Sequence, residues 1–327
     1  MRACLAEFYR QSVPGIGHIA NAFGFRKPTI LCLHSVERDD DQGRMNGSMA
    51  VTDRFLGDLI DHVRSRGLEI LSLDDAMARL DQRDFRPFLC LTFDDGYRDN
   101  YEVAFPVLRR HGAPAAIFLA TGLIDRTSPM WWHPLERAFA GPGAARSSRS
   151  RAERAGAQAE WTARFRASEG AETIRLMDEL ARCHPEFRPA DAFDSALDAT
   201  MIREMAASGL ITFGAHTVTH PLLARLSGPS LAREIEGARD RCAALLGEAP
   251  RYFAYPFGQP DEVGPDAPAA VARAGFAAAF TTTAATLKER NTGDRYRLPR
   301  IMLTRRSQNL ASIDAYVSGL TEAIKGV

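Results

Sequence analysis

The stretch Phe88 to Gly96 reads FLCLTFDDG, and the interpretation of the whole chain depends on it. Its opening run is apolar without alternation, which is typical of a parallel strand buried on both faces. Asp94 and Asp95 then fall at the carboxyl end of that strand, where barrel enzymes carry their catalytic residues. A simple turn is the alternative, because Asp-Asp-Gly is also good turn chemistry. The helical pattern of Tyr97 to His111 favours the strand followed by a helix.

Two histidines end a second predicted strand. Leu210 to Ala215 reads as a short strand, His216 and His220 follow it, and Pro221 prevents a long helix. One Asp with two His is a ligand set for a catalytic divalent metal with open positions. A solvated helix face, or core histidines with hydrogen-bond partners, is the alternative. The sequence thus predicts Asp95, His216 and His220 as metal ligands and leaves the neighbouring carboxylate free to act as a base.

In this order, the two blocks resemble those of the NodB-homology polysaccharide deacetylases, carbohydrate esterase family four. The family's third block, an Arg followed by Pro-aromatic-Gly, is similar to a longer-spaced form at Arg251 to Gly258. The resemblance covers about Pro28 to Thr121 and Gly209 to Leu303. It implies an α/β fold, a distorted and incomplete (β/α) barrel, and an activity that hydrolyses the N-acyl group of an amino sugar. Within the third block, it implies that the backbone N–H of Phe257 stabilises the oxyanion.

The sequence departs from the usual family pattern in two places, one of which is the absence of the Asp-x-x-Asp-Trp block. The C-terminal Leu-x-His block is missing, whereas the apolar run Ile30 to Leu33, followed by His34, resembles the branch whose histidine-bearing strand comes first. The resemblance therefore implies that a protonated His34 donates to the leaving amine. Arg300 occupies the region where related branches carry an Arg that steadies the catalytic carboxylate, here Asp94.

Bulk properties are those of an ordinary globular enzyme. The 327 residues include 41 lysines and arginines and 41 aspartates and glutamates, so no charge excess points to a nucleic-acid partner. The five cysteines are odd in number and form no CxxC pair, which favours reduced thiols. Neither a secretory signal nor a transmembrane segment is visible, which predicts a cytoplasmic protein. That location favours a glycan precursor, such as a lipid-linked or nucleotide-linked sugar, or a short oligosaccharide.

Strands alternate with helices along the chain, which predicts a parallel sheet. The resemblance implies that this sheet closes into a single barrel domain over residues 1–327. A helical insertion over residues 125–200 interrupts it, placed after a strand end and therefore over or beside the active-site mouth. Within it, Gly141 to Arg154 is predicted to be a mobile linker, and Ala157 to Cys183 to be helical. Trp131 and Trp132 could stack on sugar rings, although anchoring the insertion to the barrel is the favoured alternative.

The predicted function is a metal-dependent hydrolase that removes an N-acyl (N-acetyl) group from an amino sugar in a polysaccharide, an oligosaccharide or a glycan precursor. The cofactor is one divalent transition metal, with zinc first and cobalt, nickel or iron also compatible with the ligand set. Three alternatives stay open: a deformylase or esterase acting on a lipid-linked sugar or glycan, a hydrolase of small cyclic amides, and an inactive carbohydrate-binding module. Loops and the insertion select the substrate, and the oligomeric state is not predicted.

Overall fold

The computed structural model describes residues 26–39, 49–140, 150–168, 170–185 and 187–320. The strands in these ranges are β1 (Thr29–Leu33), β2 (Ser35–Glu37), β3 (Ala50–Thr52), β4 (Glu69–Ile70), β5 (Phe88–Phe93), β6 (Ala115–Leu119), β7 (Ile211–Ala215), β8 (Tyr252–Ala254), β9 (Ala278–Phe280) and β10 (Ile301–Met302). The α-helices are α1 (Asp53–Ser65), α2 (Leu73–Asp81), α3 (Phe105–His111), α4 (Thr121–Ile124), α5 (Trp132–Ala140), α6 (Arg151–Ala167), α7 (Ala171–Cys183), α8 (Asp191–Asp194), α9 (Ala199–Ala207), α10 (Gly228–Leu246), α11 (Pro260–Val263), α12 (Ala267–Arg273) and α13 (Leu310–Ser318). A π-helical turn (Asn100–Ala104) precedes α3, and single 3₁₀ turns lie at Leu223–Arg225, Glu289–Asn291 and Arg305–Ser307.

The main sheet is parallel and curls into an incomplete barrel. Its strands follow the order β10-β1-β5-β6-β7-β8-β9, and β4 pairs with the start of β5. Leu298 bridges to Phe280 at the end of β9, and β10 just after it pairs with β1, so this segment joins the two edges of the sheet. The predicted α/β fold, a distorted and incomplete (β/α) barrel, is confirmed.

Strand β5 is buried along its whole length, as its apolar run predicts. Leu89, Leu91 and Phe93 pack in the large cluster that also contains the apolar faces of the surrounding helices. Phe88 and Cys90 belong to a second cluster on the opposite face, inside the curled sheet. Because successive side chains point to opposite faces, a strand with apolar layers on both sides favours apolar residues on both faces. Thr92 is the polar exception in β5.

The segment between α4 and α9 is helical and has a core of its own. This third cluster includes Trp131, Phe165, Met177 and Leu180. Part of the predicted linker is wrong: α6 begins at Arg151, because Ser150 and Glu153 form a capping box. The rest of that linker, residues 141–149, lies outside the described residues.

Across the described ranges, no helix combines the length and the apolar character that crossing a membrane requires. The single-domain organisation of the chain stays a prediction.

Candidate active site

The predicted site residues come from different strands and meet at one edge of the sheet. Asp94 and Asp95 follow β5, His34 follows β1, and His216 follows β7. Parallel strands end at the same edge, so these side chains converge. All four line one cavity of about 420 Å³, together with His220.

The three predicted metal ligands form a compact group. Oδ1 of Asp95 lies 3.3 Å from Nε2 of His216 and 3.2 Å from Nε2 of His220. Within the described chain, this buried oxygen accepts no hydrogen bond of normal geometry. A buried acceptor without a partner is costly, whereas a cation shared with two imidazole nitrogens would satisfy it. The residues present therefore fit a divalent metal.

Strand β8 fixes the orientation of His216. Its Nδ1 lies 2.7 Å from the carbonyl oxygen of Ala254. A carbonyl only accepts, so Nδ1 carries the hydrogen and the neutral ring keeps its free lone pair on Nε2, the atom beside Asp95. Burial opposes the charged ring, but Asp94 and Asp95 outweigh burial and raise the pKa of His216. The centre thus favours positive charge.

Backbone strain is concentrated at this site. Six non-glycine residues in the described ranges have a positive φ, and four of them belong to the site: Asp95 (73°), Thr217 (67°), His220 (59°) and Phe257 (61°). Such conformations cost on the order of 1 kcal/mol or more each and persist only where surrounding contacts enforce them. The strain indicates that the fold is arranged around these positions.

Glu234 of α10 holds the loop between the two histidines. Its Oε2 accepts from the backbone N–H groups of Val218 and Thr219, both at 2.9 Å. Its Oε1 accepts from the Thr219 hydroxyl at 2.8 Å. Sequence reasoning missed this residue, because no local pattern connects a mid-helix glutamate with a loop 15 residues earlier.

Arg300 binds the second carboxylate and is fully buried. Its Nη1 and Nη2 donate to the two oxygens of Asp94, each at 2.7 Å. Burial alone would raise the pKa of Asp94, but the guanidinium outweighs burial and lowers that pKa to about 2. The thiol of Cys32 also donates to Oδ2 of Asp94, at 3.3 Å, a contact that the sequence did not suggest. Asp94 is therefore ionised at neutral pH.

His34 lies in the same cavity, and hydrogen bonds hold its backbone and the two residues that follow it. Asn100 Nδ2 donates to its carbonyl oxygen at 2.8 Å, and Asp99 accepts from the next two residues, Ser35 and Val36. Burial lowers the pKa of His34, although Asp95 and Asp94 oppose that effect. The lowered pKa favours the neutral imidazole. The role of His34 as proton donor stays a prediction.

Phe257 also lines the cavity, in the left-handed conformation noted above. Its N–H donates to no acceptor in the described part of the chain. Its carbonyl accepts from the hydroxyl of Thr282 at 2.6 Å. The next residue, Gly258, has a φ of +81°, and a Cβ there would lie 2.7 Å from the backbone nitrogen of Thr282. Close packing thus fixes the turn that carries the predicted oxyanion donor.

The insertion forms one wall of the cavity. Trp131 is 8% exposed, and one of its faces is stacked on Phe165, with centroids 4.8 Å apart and planes within 8°. Trp132 is half-buried, lies 4.7 Å from the ring of His220, and donates from Nε1 to the hydroxyl of Tyr97 at 2.6 Å. Phe165 thus covers one face of Trp131, whereas Trp132 contacts a proposed metal ligand. Sugar binding by either tryptophan stays a prediction.

The fold and this arrangement define a class: parallel-barrel hydrolases with an Asp-His-His centre beside a second carboxylate. The family model "Polysaccharide deacetylase" matches residues 82–279, which is more than half of the chain. The chain belongs to the polysaccharide deacetylase family. The resemblance to this family that was drawn from the sequence is confirmed.

Individual relatives agree with this assignment. The polysaccharide deacetylase candidate YxkH of Bacillus subtilis (strain 168) is 37% identical over 95 residues, which are 28% of this chain and 32% of YxkH. The chain thus aligns with about a third of that relative's length. IcaB from Ammonifex degensii has 22% identity and a TM-score of 0.58, covering 89% of this chain and 97% of IcaB. The Streptococcus pyogenes deacetylase PplD, solved with acetate, has 18% identity and a TM-score of 0.57, covering 87% and 96%. At these identities the two structures show a shared fold.

Proposed function

We propose that this protein is a metal-dependent hydrolase that removes the N-acetyl group of an amino sugar in a glycan or glycan precursor. The observation that carries the proposal is that the two adjacent carboxylates have different partners. Asp95 lies between two imidazole nitrogens, whereas Asp94 is bound by Arg300 and is not needed as a ligand. One carboxylate is thus available to hold a cation and the other to accept a proton.

Asp95, His216 and His220 would hold the metal. When bound, the ion would polarise the acyl carbonyl and lower the pKa of a water molecule toward ~7. With three protein ligands, such an ion would have room for water and substrate. Zinc is the first choice, and cobalt, nickel or iron suit the same nitrogen and oxygen donors.

Asp94 accepts the proton that the attacking water loses. Its Oδ1 accepts from Arg300 and keeps a lone pair for this purpose, because a carboxylate offers about four acceptor positions. Arg300 keeps the carboxylate ionised and fixes its plane. The backbone N–H of Phe257 stabilises the negative charge that develops on the acyl oxygen.

His34 delivers a proton to the nitrogen as the C–N bond breaks, because an amine is too basic to leave as an anion. Burial favours its neutral form, so the proton that His34 donates is the one that Asp94 takes from water and passes on within the cavity. The net reaction moves one proton from water to the leaving nitrogen. Asp94 and His34 both finish in their starting states.

The substrate part of the proposal rests on the cavity and on the family. A volume of about 420 Å³ lies in the range of small-molecule sites. One structural neighbour of the same fold is a de-N-acetylase from Aggregatibacter actinomycetemcomitans, at 17% identity and a TM-score of 0.58. Location in the cytoplasm, and hence a precursor as the true substrate, stays a prediction.

The test is acetate release from N-acetylated amino-sugar oligomers by metal-free protein, before and after addition of each candidate metal. Activity should appear only with metal and should be lost in His216→Ala. His62→Ala is the matched control, because the ring of His62 likewise lies beside an aspartate, Asp314, but is only half-buried and lies outside the cavity. Full activity of rigorously metal-free wild-type protein would contradict the proposal.

A further inference from the structure

One side chain of the insertion reaches across the cavity to the turn that carries Phe257. Arg166, near the end of α6, places its guanidinium carbon 4.4 Å from the centroid of the Phe257 ring. It also forms an ion pair with Glu262 of α11. Arg166, Phe257 and Glu262 all line the catalytic cavity. The insertion therefore contacts the candidate oxyanion donor directly.

Phe257 also contacts a proposed metal ligand. Its ring lies 4.8 Å from that of His220, edge to face at 63°. The phenyl ring thus contacts both the imidazole of His220 and the guanidinium of Arg166. Since Phe257 has a φ of +61°, its conformation requires contacts that hold it in place. A guanidinium over an aromatic face provides such a contact.

Glu262 extends this contact into the following turn. Its Oε2 accepts from the backbone N–H of Gln259 at 3.0 Å, and Gln259 Nε2 donates to the carbonyl and hydroxyl oxygens of Thr282. The Thr282 hydroxyl donates to the carbonyl of Phe257. Arg166 therefore contacts both ends of a short hydrogen-bonded network around Phe257.

We propose that Arg166 is a positioning residue: it holds Phe257 in the left-handed conformation and so makes turnover depend on docking of the insertion. The inference rests on the proposed function, because it assigns the N–H of Phe257 to the reaction. The competing explanation is that Arg166 merely anchors α6.

Arg164, on the same helix, separates the two explanations. Its guanidinium lies 4.2 Å from the centroid of Trp161, and it forms an ion pair with Glu179. These are the same two kinds of contact as those of Arg166, but both stay inside the insertion. Loss of an anchoring contact alone should therefore have similar effects at Arg164 and Arg166.

The experiment compares Arg166→Ala, Arg166→Lys and Arg164→Ala in the full chain loaded with zinc. Arg166→Ala should lower kcat about tenfold at unchanged metal content, with a smaller effect on KM, because the missing contact acts on the transition state. Arg166→Lys should restore part of the rate, since it keeps a charge over the ring. Arg164→Ala should keep the wild-type kcat.

A second readout does not require activity. In metal-free protein, amide hydrogen exchange at Gly258 and Thr282 should accelerate in Arg166→Ala and stay unchanged in Arg164→Ala, because both amides donate within the Phe257 turn. If Arg166→Ala is too unstable to purify, Glu262→Gln tests the same network and should show the same acceleration. An unchanged kcat and unchanged exchange in the Arg166 variants, or equal losses in Arg164→Ala, overturn the inference. An inactive wild-type enzyme refutes the proposed function instead, and the exchange comparison then still decides whether Arg166 holds the turn.

Discussion

Arg300→Met should leave the negative charge of Asp94 in the barrel interior without a counter-charge. The arginine side chain is fully buried and donates to both oxygens of Asp94, to the Thr92 hydroxyl and to the Thr281 carbonyl. Methionine keeps much of the length of the side chain but offers no donor. Asp94 would then have to be ionised without a counter-charge or to take up a proton.

The magnitude follows from the two states of Asp94. Its pKa is lowered from 3.8 to about 2, which at ~1.4 kcal/mol per unit is on the order of 2–3 kcal/mol at neutral pH. Because the folded pKa is the lower one, this stability is present above pH 4 and is lost as the pH falls through 2. Removing one partner of a buried ion pair costs about 3–5 kcal/mol, since the other charge is left buried. We expect a loss of that size at pH 7.

The assay is urea unfolding of metal-free protein at pH 7, so that metal loss does not contribute. Wild type, Arg300→Met, Asp94→Asn and the double variant form a thermodynamic cycle. Arg300→Met should lower the free energy of unfolding by at least ~2 kcal/mol less in the Asp94→Asn background, because no buried charge then loses its partner. A loss below ~1 kcal/mol for Arg300→Met alone, or additive effects within ~0.5 kcal/mol, would refute the reasoning.

Three further changes test other parts of the site. Burial raises the pKa of Asp99 to about 7, so above pH 4 the folded protein holds a proton that the unfolded chain has released, and stability should fall as the pH rises toward 7. Between pH 5 and pH 8, the free energy of unfolding of wild type, measured in urea, should fall by ~2–3 kcal/mol relative to that of Asp99→Asn, and parallel pH profiles would argue against this. His34→Ala should slow amide hydrolysis far more than hydrolysis of activated esters, whose leaving groups need no proton, and equal slowing in the two assays would exclude the acid role. Glu234→Ala should weaken metal binding ~10–100-fold in a chelator competition, and Glu234→Gln should recover part of the affinity. Wild-type affinity in Glu234→Ala would show that the His216–His220 loop keeps its conformation without Glu234.

The strands and the groups at their ends could be predicted because their physics is local. Strand β5 is buried at every position and apolar at every position except Thr92, and that pattern predicts a parallel strand without reference to other parts of the chain. Once two such strands are placed, their carboxyl ends must share an edge, which brings Asp95 and His216 together. The Arg300 contact came from the family resemblance, since 206 residues separate it from Asp94.

The wall formed by the insertion could not be predicted, because it depends on how helices dock. Arg166 and Phe257 are far apart in sequence, and no sequence pattern predicts their contact. Phe165 stacks on Trp131 only once α5 and α6 have packed together. One signal was available and missed: Ser150 and Glu153 have the spacing of a capping box, which marks the start of α6 inside the predicted linker. The lowered pKa of His34 likewise depends on burial, which its sequence neighbours do not reveal.

The central claim is that adjacent carboxylates have different tasks, and one paired measurement tests it most directly: metal content and acetate release of Asp94→Asn and Asp95→Asn, purified identically. Asp94→Asn should keep about one metal per chain and lose ~10²–10⁴-fold in rate, because only the proton acceptor is missing. Asp95→Asn should lose both the metal and the activity, because a charged ligand is replaced by a neutral amide. Equal metal loss in the two variants, or a metal-loaded Asp95→Asn, would contradict the assignment.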